Sequence, residues 1–313
     1  MRNPSRALGT VIAVLLLGLT TACAGSEPAI EPRPDDRTVT HAMGEARVPA
    51  EPKRVVVLDT GELDAVLALG MEPVGMVLPD AAPSLPDYLG ERVRDVPIVG
   101  TIGSPNLEKI ATLEPDLILS SKVRDGERYD MLSELAPTVF SETVGKTWKE
   151  NLRLNAEALG REQQAHEILD RYQRKARALG ELVGDPAQTR VSAVRFTADA
   201  DRLRLYDRGS FLGTILDDAG FARPANQHGE ETFAEVSREN IGEADGDLLF
   251  HGAYGETGAQ QQDRITGSQQ WQTLDAVRSG NAHEVPDDLW YLGLGPIAAD
   301  RVLDDMRTTL EAN

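Results

Sequence analysis

Continuous apolar runs alternate along this chain with stretches in which apolar residues recur every three or four positions, and that alternation predicts an α/β fold. Val55-Val-Val-Leu58 is apolar at every position, as a parallel strand covered on both faces should be. Asp59, Thr60 and Gly61 form the turn at its carboxyl end. Glu62 to Leu69 then reads as a helix with Leu63, Val66 and Leu67 inward, stopped by Gly70. Val74 to Val77, Ile98-Val99 and Leu117 to Leu119 are further short strands, and Val39 to Val48, with Gly44 at the turn and Pro49 and Pro52 after it, is an opening hairpin. The scheme repeats later: a strand from Val191 to Phe196, an alternating strand from Arg202 to Tyr206, a helix from Phe211 to Ala219 stopped by Gly220, strands at Leu248 to Phe250 and Ala282 to Val285, and a closing helix from Ala298 to Leu310 with Val302, Leu303 and Met306 on one face. Between the two sets, Trp148 to Leu182 is helical almost throughout. Gly160 is its expected break, and the stretch from Gln163 to Leu182 would reach roughly 30 Å as a helix.

A short passage occurs twice. Asn106-Leu-Glu-Lys-Ile-Ala-Thr-Leu-Glu-Pro-Asp-Leu-Ile-Leu119 is echoed by Ser237-Arg-Glu-Asn-Ile-Gly-Glu-Ala-Asp-Gly-Asp-Leu-Leu-Phe250, with Glu, Ile, Asp and Leu at the same offsets. Each copy predicts a capping Asn106 or Ser237, a helix opened by Glu108 or Glu239, a turn and a buried strand. Two related α/β lobes facing each other leave a cleft, a preferred place for a small ligand.

Composition narrows the partners. The chain has 313 residues, 41% of them hydrophobic, enough for two cores. A formal charge of −19 argues against a phosphate-rich partner such as nucleic acid, which needs a basic face. Arg2 and Arg6 precede an apolar run from Ala7 to Leu19 that is too short to span a bilayer comfortably, the pattern of a targeting segment. Thr20-Thr-Ala-Cys23 follows, and a small residue before the only cysteine resembles a lipoprotein signal in which the thiol of Cys23 is acylated; Leu19 stands one place further from Cys23 than in the usual pattern, and an ordinary secretory signal cleaved nearby is the alternative. A single cysteine rules out a disulfide within the chain and any cysteine cluster for zinc or iron–sulfur. The Pro-, Glu- and Asp-rich residues that follow read as an extended tether. The expected division is therefore signal 1–22, tether 23–37, first lobe 38–147, connecting helical segment 148–183 and second lobe 184–313.

Pro52-Lys-Arg-Val-Val-Val-Leu58, Leu67-Ala-Leu-Gly-Met-Glu-Pro-Val-Gly75, Pro105-Asn-Leu-Glu-Lys-Ile110 with Pro115-Asp-Leu-Ile-Leu119, Ser210-Phe-Leu-Gly-Thr-Ile-Leu-Asp-Asp-Ala-Gly220 and Ser237-Arg-Glu-Asn-Ile241 stand in an order and spacing that resemble the substrate-binding lipoproteins of ABC importers for iron-siderophore complexes, a group that also includes cobalamin and haem binders. The resemblance spans essentially the whole mature chain. It implies two Rossmann-like lobes joined by a single long α-helix, an Fe(III)-siderophore as ligand with no resident cofactor, ABC permease subunits as partners, and a monomer held at the outer face of the cytoplasmic membrane through Cys23. It also implies that Glu108 and Glu239 meet arginines of the permease. Complementing a helix dipole is the plainer role for each glutamate, and Glu230 and Glu231 are competing candidates in the second lobe.

A siderophore brings its own oxygen donors, which suits a chain whose five histidines, His41, His166, His228, His251 and His283, show no ligand spacing. Recognition then falls to aromatic walls and fixed charges outside the carboxyl ends of strands. Arg195, near the end of an apolar strand, is the sharpest candidate, with a structural ion pair to a nearby Asp as its alternative. Tyr206 ends the next strand, Trp290 and Tyr291 precede the last helix, and Trp148 opens the connector; each lines the cleft or fills a core. Thr60, Thr101, Ser121 and Lys122 follow first-lobe strands. A siderophore-modifying enzyme is the rival of a different class. Gly293-Leu-Gly-Pro-Ile-Ala298 imitates a dinucleotide fingerprint, but no later strand remains to supply the acidic residue that reads a ribose, and no Gly-x-Ser-x-Gly elbow is present.

Overall fold

The computed structural model describes residues 35–80, 84 and 86–312. The targeting segment, Cys23 and most of the tether lie outside the described residues. Arg37–His41 (β1) and Gly44–Val48 (β2) pair as the expected antiparallel hairpin, with Ala42 and Met43 making the turn and Gly44 opening the second strand. The first lobe continues through Val55–Val57 (β3), Thr60–Ala68 (α1), Gly75–Leu78 (β4), Ile98–Thr101 (β5), Ser104–Pro105 (β6), Leu107–Thr112 (α2), Leu117–Ser121 (β7), Lys122–Asp125 (α3), Tyr129–Ser133 (α4) and Thr138–Ser141 (β8). Its sheet runs β6-β5-β4-β3-β7-β8, parallel except for β6. Trp148–Leu159 (α5) and Glu162–Leu182 (α6) follow. The second lobe comprises Val191–Phe196 (β9), Arg202–Tyr206 (β10), Phe211–Asp218 (α7), Phe233–Ser237 (β11), Leu248–Ala253 (β12), Gly255–Thr266 (α8), Asp275–Arg278 (α9), Ala282–Glu284 (β13), Asp287–Trp290 (α10) and Pro296–Ala312 (α11). Its sheet runs β11-β10-β9-β12-β13, with β9, β12 and β13 parallel and β10 antiparallel to β9 and β11.

Alternation within the buried strands decides where each side chain goes. Val55 and Val57, with Val191, Ala193 and Phe250 of the other sheet, join one core that also takes residues of α1, α5, α6, α7 and α11. Val56 and Leu58 face a separate core on the far side of the first sheet, and Val194, Phe196 and Leu249 face a third on the far side of the second. The shared core runs behind both sheets, so the lobes are packed to each other as well as joined by the helical connector.

The connector is two helices. Gly160, at φ +67° in the left-handed region, ends α5, a conformation that glycine adopts without the cost a side chain brings. The 21 residues of α6 then run about 31 Å. Gly180 lets α6 approach α7, since a Cβ there would lie 2.2 Å from the Ala219 carbonyl oxygen.

The repeat proves to be mostly architecture. Asp116 accepts the backbone N–H groups of Lys53 and Arg54 at 2.8 Å each, and Asp247 accepts that of Arg190 at 2.8 Å, so each repeated aspartate fixes the chain entering the first strand of its sheet. Ile110 and Ile241, Leu117 and Leu248 are buried. Asn106 caps α2 as expected, accepting from the Lys109 N–H at 2.9 Å. Ser237 does not act as the expected cap: Arg238–Ala244 is a 3₁₀ segment bent at Asn240, and Ser237 is held instead as the last residue of β11, opposite Arg202.

Candidate functional site

The carboxyl ends of β3 and β7 in one sheet and of β9 in the other open onto a common cleft of about 350 Å³. Asp59, Thr60, Ile102, Arg124, Val144 and Gly145 line it from the first lobe, and Arg195, Arg204, Tyr206, Thr232 and Phe233 from the second. Phe211, Leu212, Trp290, Tyr291, Leu292 and Leu294 complete the wall. Across Thr60 and Leu292 lies a second hollow of about 400 Å³ bordered by Pro79, Pro86, Asp87, Glu256, Asp287 and Asp288. Thr60 ties the lobes at this point, its hydroxyl donating to the Leu292 carbonyl at 2.8 Å. A few residues further along α1, Asp64 accepts the N–H groups of Ile297 and Ala298, at 2.7 and 2.9 Å, and the Tyr88 hydroxyl at 3.0 Å, capping α11.

Three arginines face the cleft in different electrostatic states. Arg195 is only 5% exposed. It forks onto the Asp287 carboxylate, Nε to Oδ1 at 2.6 Å, donates to the Tyr206 hydroxyl at 3.1 Å, and lies 4.4 Å from the Tyr254 ring centre. Burial works against its charge, but the hydrogen bond and charge of Asp287, with Tyr206, hold its pKa above the usual arginine value. Burial pushes the Asp287 carboxyl up, and Arg195 pulls it back. Arg124 is anchored differently, through Nε to buried Asp59 at 2.8 Å, which leaves its terminal nitrogens without a hydrogen bond among the described residues and its side chain 36% exposed. The charge of Asp59 raises its pKa. Arg204 is 30% exposed, stacks 4.1 Å over Phe233 and stands 3.7 Å from Glu235, whose other oxygen is taken by Arg202. Arg124 and Arg204 therefore keep exposed guanidinium surface at the cleft beside their carboxylate partners, whereas Arg195 is buried together with its own.

Behind Arg124 sits a buried polar cluster. Glu62, on the first turn of α1, is 1% exposed and meets one hydroxyl, that of Ser141 at 3.3 Å, while its second carboxyl oxygen has no partner. Burial, with the charge of Asp59, pushes its pKa up to about 8. Asp125 accepts from Ser120 at 2.6 Å and pairs with Arg128 at 3.3 Å.

Of the residues expected at the site, Arg195, Tyr206, Trp290, Tyr291 and Thr60 come together at the cleft. Trp290 shows it only an edge, being 1% exposed, stacked 4.7 Å from Phe250 and hydrogen-bonded to Asp305. Tyr291 spends its hydroxyl on the Val194 and Phe250 carbonyls. Trp148 is a correction: it lies in the core against Tyr172 at 4.8 Å, with its indole N–H on Thr214, because the first turn of α5 faces α6 and α7. Thr101, Ser121 and Lys122 are also absent from the wall; Ser121 is fully buried and Lys122 pairs with Glu142 at 2.8 Å. Sequence reasoning missed Arg124, Arg204, Asp59 and Phe233. Arg204 was within reach, because in an alternating strand it shares a face with Tyr206.

The exposed Glu108 and Glu239 make no hydrogen bond or ion pair among the described residues, and Glu230 stands 3.9 Å from Lys146 across the lobes. No group of three or more His, Cys, Asp or Glu among the described residues is arranged to hold a metal ion.

Two α/β lobes with a polar, arginine-bearing cleft at their facing strand ends define an extracytoplasmic-type binding protein. The chain belongs to the periplasmic binding protein family, whose profile matches residues 55–289. It is 38% identical over 310 residues to the probable siderophore-binding lipoprotein YfiY of Bacillus subtilis, covering 95% of each chain, and 31% identical to the Fe(3+)-citrate-binding protein YfmC of the same organism, covering 93% of each. Among solved structures, Staphylococcus aureus SirA complexed with staphyloferrin B superimposes with a TM-score of 0.78 at 32% identity, over 88% of this chain and 98% of that one. Its family makes this chain a substrate-binding component of an ABC importer and not an enzyme.

Proposed function

We propose that this chain captures a ferric siderophore with anionic oxygens in the cleft and delivers it to its permease without altering any bond. One observation carries the reading: Arg124 and Arg204, each beside a single carboxylate, keep exposed guanidinium surface at a cleft whose wall also includes the rings of Tyr206, Phe233 and Tyr291. Guanidinium groups bind carboxylate, catecholate or hydroxamate oxygens in forked geometry, and the rings pack the organic part. Arg195, its charge paired with Asp287, holds Tyr206 in place, and Thr60 sits at the join between the lobes. The siderophore-binding name of YfiY, the Fe(3+)-citrate-binding name of YfmC and the staphyloferrin B bound to SirA support the same class.

Delivery rests on Glu108 and Glu239. Asp, Ile and Leu of the repeat all have internal work, whereas the paired glutamates have none, which favours an external partner. Acylation of Cys23 would hold the body, as a monomer, at the outer face of the cytoplasmic membrane on the tether 23–37, with lobes 38–147 and 184–313 joined by 148–183.

Tryptophan fluorescence titrated with ferric catecholate, hydroxamate and citrate chelates, cobalamin and haem tests the ligand. A saturable response to an anionic ferric chelate is expected; a response to cobalamin or haem alone overturns the assignment. Glu108→Arg with Glu239→Arg should abolish uptake and leave chelate affinity intact, and lost affinity would count against docking.

A further inference from the structure

A third hollow, of about 310 Å³, lies between α1, α6 and α11 and shares no lining residue with the cleft. Three arginines, Arg92, Arg171 and Arg301, come to it from three different elements. Arg92 donates to the Leu67 carbonyl at the end of α1. Arg171 and Arg301 make no hydrogen bond or ion pair among the described residues. Asp300, the one acidic residue in the wall, is already paired with Lys175 at 2.8 Å. Three exposed arginines therefore line one hollow whose only wall carboxylate, Asp300, shares Lys175 with Asp304, in a protein whose overall charge is −19. The amides of Ile297 and Ala298 in the first turn of α11 are occupied by Asp64, so the guanidinium groups are the available donors.

We propose that this cavity is a site for a small multivalent oxyanion of the phosphate type, held by forked hydrogen bonds from Arg171 and Arg301 with Arg92 completing the positive field. Because its walls come from the first lobe, the connector and the closing helix, an anion bound there bridges all three and stabilises the folded chain by mass action.

Isothermal titration of the folded protein with inorganic phosphate at matched ionic strength, sodium chloride as the reference, tests the site. Saturable one-to-one binding is expected. Arg171→Gln with Arg301→Gln should weaken it at least tenfold while leaving ferric-chelate affinity unchanged, and Arg171→Gln alone, an exposed change in the middle of a helix, should weaken it several-fold. Arg124→Gln in the cleft should leave phosphate binding intact. Non-saturable heats, equal binding by wild type and double variant, or loss of binding in Arg124→Gln would each overturn the proposal. Phosphatidylglycerol vesicles separate the sources of a phosphate group, and capture by vesicles with no response to free phosphate would also overturn it.

Discussion

Glu62 offers the sharpest test of the buried chemistry behind the cleft. Its carboxyl titrates near 8 in the folded chain, against an ordinary 4.5, because burial and the neighbouring Asp59 both oppose its charge. Below pH 4.5 both states of the chain hold the proton and the residue is neutral to stability. Between that value and 8 the unfolded chain releases the proton while the folded chain retains it, so stability falls by about 1.4 kcal/mol per pH unit. From pH 5.5 to pH 7.5 the loss from this residue is about 3 kcal/mol, a large share of the 5–15 kcal/mol by which domains are typically stable. Glu62→Gln keeps an oxygen for Ser141 and cannot ionise. Urea unfolding of wild type and variant at the two pH values gives the answer as a difference of differences, in which the other raised carboxyls, Asp64, Asp125, Asp207 and Asp287, cancel. The variant should lose about 3 kcal/mol less than wild type over this interval. Parallel pH profiles would show that Glu62 is ionised in the folded protein and would refute the reasoning.

Asp64→Ala strips the cap from α11 and the partner from Tyr88, leaving three donors unmet, and should cost about 3–5 kcal/mol by chemical denaturation. Arg124→Gln should weaken ferric-chelate binding at least tenfold and reduce its salt dependence, measured by titration at low and high salt. Asp287→Asn leaves Arg195 buried without a counter-charge and should destabilise by about 3 kcal/mol, whereas Arg195→Met with Asp287→Leu should fall within about 1 kcal/mol of wild type. In that double variant chelate affinity should fall less than in Arg124→Gln.

What the sequence disclosed follows how strongly each element marks itself. Strands such as β9 carry an almost unbroken apolar run, helices such as α7 are bounded by glycine and carry periodic apolar residues, and they stand where the pattern puts them. Helix α8 escaped because its buried stripe is Gly258, Gln262 and Ile265, with the helical spacing but hardly an apolar residue; Gln262 is satisfied in place by His251 and Glu284. The cleft was legible by position and illegible by charge state. That Arg195 ends a buried strand could be read from the chain, yet its partner Asp287 lies 92 residues away and only folding brings them together. Arg124 stands two positions beyond Lys122 on a four-residue helix, and nothing local says that Lys122 turns outward to Glu142 while Arg124 turns inward to Asp59.

These placements imply recognition by a prepared surface. Asp59 fixes Arg124 by one nitrogen and leaves the rest of its guanidinium exposed at the cleft; Phe233 supports Arg204 by its face; Arg195 and Asp287 immobilise Tyr206. Each contact removes side-chain freedom before the ligand arrives, the cost that most limits affinity at a polar site. The backbone is prepared as well, since the core behind the sheets is continuous, Thr60 ties the first lobe to Leu292 before α11, and Asp64 ties it to the first turn of α11. A wide swing of one lobe would break those buried hydrogen bonds, each about 1–3 kcal/mol when a donor is left unmet. On the function proposed above, selection of a chelate would depend on where its negative oxygens stand relative to Arg124 and Arg204, and release would fall to a partner that pulls on the two lobes through the exposed Glu108 and Glu239.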